Sequence, residues 1–361
     1  MKNIIFYNPS FETGGVEGNI KKYFDIINQT NKFKITFIST DRKLIQKKIK
    51  NIKVVPTVDW KLSSRYLKYL ISFYYLILES WKGKSIIFSF QNNIFAIIAA
   101  IITGSRIIVR LNTSPNKYIK SSISKKIFRF FYSKADIIIV NDEDFKSKVK
   151  SFFKINSIVV HNSVEIKKIS KKAKFFLNGN FFNNKILNLV TVGRLIEQKD
   201  HLTILKGLNL IKKKINFRLM IIGSGNEENN LRRFIDKNEL NSRIKIKGFL
   251  KNPYPYIKRA DIFILSSLYE GSPNVLLEAG ALKTLIISTN CNTGPKQILS
   301  SGKGGHLFET SNFKQLSEIL IKINVKDKKS KKMKSITFNK IKKYNYHNQK
   351  KLLLRAINNI Q

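Results

Sequence analysis

The chain has 361 residues, of which 43% are hydrophobic and 11% aromatic. This length suits two domains of roughly 150–180 residues, and this composition excludes an intrinsically disordered chain. The 67 Lys and Arg residues outnumber 23 Asp and Glu residues, giving a formal net charge of +44. Such a charge attracts nucleic acid, anionic lipid or phosphorylated substrates, but a coding bias towards Lys, Asn, Ile and Phe explains evenly spread lysines equally well.

Metal-binding and targeting signals are weak along the chain. Cys291 is the single cysteine, which excludes a disulfide framework and a thiolate metal site. A histidine cluster is not expected either, since the four histidines are widely spaced: His161, His201, His306 and His347. Residues 1–7 are too short an apolar run for a signal peptide, and the longest apolar stretch, 95–103, is about half a membrane span. We therefore expect a cytoplasmic protein that contacts membrane at most with its surface.

Short β-branched runs alternate with amphipathic helical segments from the N-terminus to about residue 320, the pattern of βαβ units. The first half predicts strands over 3–7, 34–39, 52–55, 85–89, 106–110, 137–140 and 157–160. The second half starts the pattern again and predicts strands over 187–192, 217–222, 244–248, 262–265 and 284–288.

These strands predict an α/β protein of two facing, Rossmann-like, doubly wound domains with the ligand cleft between them. We place the N-terminal domain over 1–165 and the C-terminal domain over 187–325. The Lys-, Asn- and Phe-rich segment 166–186, which contains Asn178-Gly179, is the expected interdomain connection, either extended throughout or helical in part. The basic segment 326–361, helical from about 344 to 360, either returns to the N-terminal domain or forms a solvated tail helix.

The most informative segment is Ser267-Leu-Tyr-Glu-Gly-Ser-Pro-Asn-Val-Leu-Leu-Glu278, which follows a predicted strand. Pro273 suits the first turn of a helix. In that turn we expect outward-pointing backbone N–H groups that attract an anion, those of Asn274, Val275 and Leu276. Glu270 and Glu278 flank this anion site. A nucleotide-sugar diphosphate, with hydroxyl groups on both sides of its phosphates, fits the arrangement.

A second pair of candidates, Arg194 and Lys199, follows the predicted strand 187–192. Gly193 allows a tight turn that leaves Arg194 at the carboxyl end of the strand. A guanidinium fork and an ammonium point charge suit a diphosphate. Taken alone, the two residues could equally be surface cations among the 67 Lys and Arg residues.

Together these segments resemble a known family. The Glu-x7-Glu spacing of Glu270 and Glu278 resembles the signature of retaining glycosyltransferases of the GT-B fold, family 4. The segment Val192-Gly-Arg-Leu-Ile-Glu-Gln-Lys199 is similar to that family's Gly-Arg-Leu…Lys segment, and Gly14-Gly15-Val16-Glu17 to its N-terminal glycine loop. The segment 290–299, Asn-Cys-Asn-Thr-Gly-Pro-Lys-Gln-Ile-Leu, resembles members that extend lipid-linked surface sugars, O-antigen or capsule. The resemblance covers residues 1 to about 320.

The resemblance implies roles for the donor-site residues. Arg194 and Lys199 would bind the donor diphosphate and stabilise the charge of the leaving group. Glu278 would accept hydrogen bonds from the ribose hydroxyls. Glu270 would position the transferred sugar and act catalytically with Arg194 and Lys199, while a nucleophilic role for Glu270 stays open. Nucleotide contacts are also implied for the loop at Gly223, for Phe249, which is expected beside the base, and for Gly15.

The acceptor side departs from the family pattern. Many members carry a histidine after the strand that matches 106–110, whereas here the strand ends at Arg110, Asn112 follows it, and no histidine is present. These two residues, with Gly14, are the candidates for holding an acceptor phosphate or the donor sugar. Two segments that mix bases with aromatics, 65–75 and 124–134, could form helices lying on an anionic membrane or, equally, core-facing helices with a solvated basic back.

The resulting hypothesis is a retaining transferase. It moves a hexose or N-acetylhexosamine from a nucleotide-diphosphate sugar, with UDP favoured, to a sugar acceptor that we expect to be polyprenyl-diphosphate-linked. No metal and no cofactor are expected, because Arg and Lys can take the leaving-group charge, and no nucleic acid motif accompanies the basic charge. Alternatives are a nucleotide-sugar hydrolase or epimerase on the same fold, or a non-catalytic basic scaffold for membrane or polyanion.

Overall fold

The computed structural model describes residues 2–11, 15–49, 52–57, 64–112, 121–175, 181–183, 185–291 and 294–360. The chain divides into two compact units. Unit 1 comprises residues 1–163 together with the C-terminal segment 347–361, and unit 2 comprises residues 164–346. Each unit is an α/β domain around a parallel sheet, which confirms the predicted fold class.

Unit 1 contains a seven-stranded parallel sheet in the order β3-β2-β1-β4-β5-β6-β7. In chain order its elements are β1 (Lys2–Tyr7), α1 (Gly15–Asn28), β2 (Phe33–Ile38), α2 (Arg42–Lys48), β3 (Lys53–Val55), α3 (Arg65–Trp81), β4 (Ser85–Ser89), α4 (Asn93–Thr103), β5 (Arg106–Arg110), α5 (Ser122–Tyr132), β6 (Ile137–Val140), α6 (Glu143–Phe153) and β7 (Ile158–Val159).

Unit 2 contains a six-stranded parallel sheet in the order β10-β9-β8-β11-β12-β13. Its elements are α7 (Ile166–Lys172), β8 (Leu187–Val192), α8 (His201–Ile211), β9 (Phe217–Ile222), α9 (Glu228–Lys237), β10 (Ile244–Ile246), α10 (Tyr254–Arg259), β11 (Ile262–Leu265), α11 (Asn274–Ala281), β12 (Leu285–Thr289), α12 (Pro295–Ile298), β13 (His306–Phe308), α13 (Phe313–Lys322) and α14 (Lys328–Lys342). The last helix of the chain, α15 (Tyr346–Asn358), takes it back into unit 1.

The central strands are continuous apolar runs because helices cover both faces of each parallel sheet. Every residue of β4 and of β11 is buried. Polar side chains start the helices between them: Asp142 accepts a hydrogen bond from the N–H of Phe145 at 2.7 Å, and Asp327 accepts one from Ser330 at 2.6 Å. These N-caps satisfy backbone donors that the first helical turn leaves without partners.

Both sheets reverse their strand order once, and the reversal fixes where a ligand can bind. The reversal lies between β1 and β4 in unit 1, and between β8 and β11 in unit 2. Loops leave a doubly wound sheet in opposite directions at this point, which opens a crevice at the carboxyl ends of the two strands. The loops after β8 and β11 carry three of the predicted donor-site residues, Arg194, Lys199 and Glu270.

The strand predictions are confirmed to within a few residues, with one omission, β13 at His306–Phe308. The expected connection 166–186 begins with a helix, α7, that belongs to unit 2, while Asn178-Gly179 lies outside the described residues. The basic C-terminal segment divides between the units, since α14 lies in unit 2 and residues 347–361 in unit 1. In the described part of the chain, no helix combines the length and apolar character needed to cross a bilayer.

Candidate active site

Two loops at the reversal point of unit 2 are joined by hydrogen bonds. Leu268 donates its N–H to the carbonyl of Gln198 at 2.9 Å, and the Gln198 side-chain amide donates to the carbonyl of Tyr269 at 2.9 Å. The Ser266 hydroxyl donates to the carbonyl of Lys199 at 2.8 Å. Because β8 and β11 are neighbours, these three bonds hold the 197–199 turn against the 266–270 loop. Residues 71 positions apart in sequence are thereby fixed side by side.

The centre of these joined loops is an ion pair between Lys199 and Glu270. The Lys199 ammonium contacts Oε1 of Glu270, and the Ser267 hydroxyl donates to the same oxygen at 2.7 Å. The two side chains are 16% and 9% exposed, so the pair is screened from water without being sealed from a ligand. An ammonium carries three donors. Lys199 can therefore hold Glu270 in place and still donate to a phosphate oxygen.

The orientation of Ser267 is fixed in turn by the neighbouring strand. Thr289, the last residue of β12, donates its hydroxyl to the carbonyl of Ser267 at 2.7 Å, and both residues are fully buried. Glu270 is thus held by Ser267, which is itself held by Thr289 of the sheet. Side chains held by such supporting hydrogen bonds keep the geometry that binding and catalysis require.

Arg194 lies at the carboxyl end of β8 with its side chain exposed. The backbone on either side of it is fixed: Gly193 donates its N–H to Ile222 at 3.0 Å, and Leu195, which is fully buried, donates to Ser224 at 2.9 Å. The prediction that Arg194 lies at the carboxyl end of its strand is therefore confirmed. Its role towards a diphosphate stays a prediction.

The glycines after β9 have a steric reason that sequence analysis did not identify. Gly223 has φ = +154°, and a Cβ at this residue would collide with the carbonyl oxygen of Gly193. A Cβ at Gly225 would likewise collide with the carbonyl oxygen of Leu195. The Gly-Ser-Gly sequence is thus required for the close approach of the β8 and β9 loops. The nucleotide contact expected at Gly223 stays a prediction.

The start of α11 differs in one respect from the prediction. Asn274 and Val275 lie in its first turn, where an anion would be attracted, but the N–H of Leu276 donates to the carbonyl of Pro273 at 3.1 Å. The side chain of Leu276 is fully buried. The expectation that Leu276 offers an outward-pointing N–H is therefore corrected, because the first turn is tightened and uses that donor internally.

A second glycine turn supports the α11 start. Gly294 has φ = +76°, and a Cβ at this position would collide with the carbonyl oxygen of Gly271. The turn at 294–295 therefore lies directly against the 271–273 turn that precedes α11. This contact explains why the 290–299 segment belongs to the same site as Glu270, although Asn292 and Thr293 lie outside the described residues.

Glu278, on the second turn of α11, has a partner that the sequence did not reveal. The Tyr254 hydroxyl, from the first residue of α10, donates to Oε1 of Glu278 at 3.3 Å. Burial raises the pKa of Tyr254, and the negative charge of Glu278 raises it further, so the phenol stays protonated and available as a donor. Proline on both sides of Tyr254 is a weak signal for this fixed position. The 24-residue separation from Glu278 gave no indication of the contact.

Phe249 and Gly248 lie at the same edge of the sheet, after β10. Gly223 donates its N–H to the carbonyl of Gly248 at 2.9 Å, which places the two glycines side by side. The Phe249 side chain is 73% exposed. An exposed aromatic ring next to the Gly223 loop suits a platform for a base. The base contact itself remains a prediction.

Two other titratable groups near Glu270 and Lys199 are neutral. Burial, followed by the charge of Glu270, raises the pKa of Cys291 to about 11. Burial and the nearby Lys199 lower the pKa of His201 to about 3. Neither group is therefore suited to acid–base chemistry near pH 7. Among the residues that the structure describes, no group of three or more His, Cys, Asp or Glu side chains could hold a metal ion.

The acceptor-side candidates require a correction. Arg110 is 1% exposed and lies inside unit 1, where its guanidinium donates to the Tyr23 hydroxyl, to Oδ1 of Asn162 at 2.8 Å and to Oδ1 of Asn112 at 3.3 Å. Asn112 donates in turn to the carbonyl of Phe90 at 3.0 Å. The Arg110 guanidinium therefore ties strand ends together and is not presented to an acceptor phosphate. Gly14 lies outside the described residues, and Gly15 begins α1.

The family comparison covers most of unit 2. Residues 172–340 match the family described as glycosyl transferases group 1. This range contains the loops after β8, β9, β10, β11 and β12, and with them Arg194, Lys199, Gly223, Glu270 and Glu278.

Curated relatives share this region in part. An uncharacterized glycosyltransferase of Methanocaldococcus jannaschii is 32% identical over 213 residues, 56% of this chain and 52% of that protein. The N-acetylgalactosamine-N,N'-diacetylbacillosaminyl-diphospho-undecaprenol 4-alpha-N-acetylgalactosaminyltransferase of Campylobacter jejuni is 25% identical over 235 residues, 63% of this chain and 62% of the relative. The chain thus spans between half and two thirds of the length of these relatives.

Among solved structures, HepE of Anabaena in complex with UDP aligns with a TM-score of 0.81 and 14% identity. The alignment covers 99% of this chain and 100% of HepE. At this identity the likeness concerns the fold, and it confirms the expected GT-B fold of two parallel-sheet α/β domains.

Proposed function

We propose that this chain, which carries a group 1 glycosyltransferase domain over residues 172–340, is a retaining glycosyltransferase. It moves a hexose or N-acetylhexosamine from a UDP-sugar to a sugar acceptor on a polyprenyl diphosphate, in the synthesis of surface polysaccharide or glycan at the inner face of the plasma membrane. The observation that carries the proposal is the Lys199–Glu270 ion pair at the reversal point of the unit 2 sheet.

The cations of this edge suit a diphosphate leaving group. Lys199 is held by Glu270, while Arg194 projects from a fixed backbone at the end of the same strand. A guanidinium and an ammonium, placed in advance, stabilise the negative charge that develops on the β-phosphate as the sugar departs. This arrangement performs the task of a metal ion with side chains of the chain itself.

The carboxylates suit the two hydroxyl-bearing ends of the donor. Glu278, oriented by Tyr254, would accept hydrogen bonds from the ribose hydroxyls. Glu270 would accept hydrogen bonds from the transferred sugar. Its Oε1 already accepts from both Lys199 and Ser267, which lowers the nucleophilicity of that oxygen. This favours a positioning role for Glu270 over a covalent one.

The reaction then needs no external base. The acceptor hydroxyl attacks the anomeric carbon from the face that the diphosphate leaves, and the bond to the β-phosphate oxygen breaks. The departing phosphate takes the proton of the hydroxyl, so the products are the new glycoside and UDP. The anomeric configuration of the donor is retained.

The choice of UDP and of a lipid-linked acceptor has support from known proteins. HepE has been solved with UDP and with UDP-glucose. The name of the Campylobacter jejuni relative specifies an acceptor on undecaprenyl diphosphate. In this chain, the exposed Phe249 at the nucleotide edge is consistent with a stacked base.

A transfer assay tests the proposal. UDP-glucose, UDP-galactose and their N-acetylhexosamine counterparts are offered with a synthetic sugar on undecaprenyl diphosphate, and the product linkage is determined by NMR. The expected result is one α-linked product from one α-configured donor, absent with Glu270→Ala. A β-linked product, free sugar released without transfer, or full activity of Glu270→Ala would contradict the proposal.

A further inference from the structure

Three helices of unit 1, α3, α4 and α5, pack side by side and share one core. Leu76 of α3, Ile97 of α4 and Tyr132 of α5 belong to the same buried cluster, which also includes residues of β4, β5 and β6. Phe73 of α3 and Phe95 of α4 contact each other with ring centroids 5.2 Å apart. Because their inner sides are used in this core, the outward sides of the three helices form one layer, which we call the α3–α5 face.

The α3–α5 face is apolar where solvated helices are normally polar. Its outward large side chains are between 41% and 70% exposed: Tyr66, Leu67, Leu70, Tyr74 and Trp81 on α3, Ile101 and Ile102 on α4, and Ile123, Ile127 and Phe130 on α5. Within α3 and α5 these positions recur every three, four or seven residues, so each helix exposes an apolar stripe. Exposed apolar surface of this extent indicates an interaction site.

The charges of the face have one sign. Exposed cations accompany the α5 stripe: Lys126 and Arg129 on the helix, and Lys134 just after it. Lys125 lies on the inner side of α5, with its ammonium over the Phe152 ring of α6. No Asp or Glu occurs in α4 or α5, and Glu79, the single carboxylate of α3, is 9% exposed and paired with Lys53 and Lys82. After α5, Asp136 is paired with Arg106 at 2.8 Å. The exposed charge of the face is therefore positive.

From this combination we propose that the α3–α5 face docks on the surface of an anionic lipid bilayer. The apolar stripes enter the boundary between headgroups and acyl chains, and the α5 cations bind lipid phosphates, as in interfacial amphipathic helices. A second copy of the chain fits less well, because it would bring another positive face and a net charge of +44 against this one. The inference gives the proposed function a way to reach a membrane-held acceptor, but docking itself needs no transfer activity.

Vesicle co-sedimentation of the whole chain tests docking. The probes are vesicles of phosphatidylcholine alone and of phosphatidylcholine with phosphatidylglycerol. Wild-type protein should bind the anionic vesicles, and binding should weaken as salt is raised. The variant with Ile127→Glu and Phe130→Glu should lose at least about tenfold in binding, since it removes apolar contacts and introduces repulsion.

Matched controls separate the face from general charge effects. Leu210→Glu with Ile321→Glu makes the same change at exposed helical positions of unit 2, and should bind as wild type. Lys126→Glu with Arg129→Glu on the face should weaken anionic-vesicle binding more than Lys331→Glu with Lys332→Glu on α14, at equal net charge. Circular dichroism and retained UDP affinity verify that each variant is folded.

Three results would overturn the inference. The first is unchanged vesicle binding of the α5 variants, and the second is an equal loss of vesicle binding in the unit 2 controls. The third is a wild-type chain that binds no vesicles but sediments as a dimer, and that becomes monomeric in the variant with Ile127→Glu and Phe130→Glu. Docking without transfer activity would leave the face in place and overturn only the proposed function.

Discussion

The two units share one strand order up to the reversal point, but they differ in whether a charged side chain at the carboxyl end of a strand is buried or exposed. In unit 1, Arg110 is buried and its guanidinium is used for hydrogen bonds within the domain. In unit 2, Arg194 is exposed and the Lys199–Glu270 pair is only partly covered. A charged residue at a strand end therefore does not identify a ligand site by itself. Whether such a residue can bind a ligand depends on its exposure and on its hydrogen-bond partners.

The largest effect is expected from a substitution that disturbs the packing of the β8 and β9 loops in unit 2. Gly223→Ala should destabilise the protein by about 3–5 kcal/mol, because the new Cβ meets the Gly193 carbonyl at a positive φ. Gly248→Ala is the matched control, since no atom lies within 4 Å of its Cβ position. Denaturant unfolding measures both, and equal stability of the two variants would contradict the close approach of the loops.

The partly covered pair should matter for chemistry more than for stability. Lys199→Ala should lower kcat by about 10²–10³-fold, because it removes the proposed donor to the leaving phosphate and the ammonium that holds Glu270. Lys206→Ala removes an exposed lysine from the following helix and should leave kcat unchanged. Steady-state kinetics with the donor identified by the transfer assay provide the measurement. A similar effect of both substitutions would show that general charge, not the pair, is responsible.

The buried guanidinium of Arg110 in unit 1 should matter more for stability than for chemistry. Arg110→Met should destabilise the protein by about 2–4 kcal/mol, because the acceptor oxygens of Tyr23 and Asn162 lose their buried donor. Arg106→Met, which breaks an exposed pair with Asp136, should cost less than about 1 kcal/mol. UDP affinity should be unchanged in both. If Arg110→Met instead abolished transfer at full stability, the assignment of a structural role would be wrong.

Asp142 should make the stability of unit 1 depend on pH. Burial raises its pKa from 3.8 to about 6, against the hydrogen bond from Phe145. The folded state thus holds this proton more tightly than the unfolded state, so stability should fall as pH rises from about 4 through 6. Asp142→Asn keeps the helix cap and should stabilise the protein by about 1–3 kcal/mol at pH 7.5 with little gain at pH 4. Thermal unfolding at both pH values measures this, and Asp144→Asn, at an exposed position, should show no such difference.

The smallest expected effect concerns the support of Glu278. Tyr254→Phe removes one hydrogen bond to this carboxylate and should weaken UDP binding about 3–10-fold. Tyr256→Phe, in the same helix, should not change it. Calorimetric titration of both variants distinguishes them. If Tyr254→Phe bound UDP as tightly as wild type, Tyr254 would have no role in nucleotide binding.

The fold followed from the sequence because its signals are local. Alternation of short β-branched runs with amphipathic segments predicted the strands to within a few residues and indicated parallel sheets built from βαβ units. The short strand His306–Phe308 was missed, since three residues with one histidine carry almost no periodicity. The position of helix α7 was not predicted within the segment expected to be a partly helical connection, because a lysine-rich segment has the same composition in a linker and on a surface helix.

The site was predictable only where its residues form local motifs. Arg194, Lys199, Glu270 and Glu278 each belong to a recognisable sequence motif, whereas the contact of Tyr254 with Glu278 depends on how α10 and α11 pack. The burial of Arg110 was equally hidden, because its partners Tyr23 and Asn162 come from distant parts of the chain. Pairings of this kind are properties of the folded domain and leave no signal in a single sequence.

Calorimetric titration of UDP, GDP and ADP into the purified chain tests the central claim, that the carboxyl edge of β8 and β11 binds a nucleotide diphosphate. We predict micromolar binding of UDP, abolished by Arg194→Ala and by Glu278→Ala and retained by Lys206→Ala. Absence of binding by all three nucleotides, or UDP binding that both site variants leave unchanged, would contradict the account.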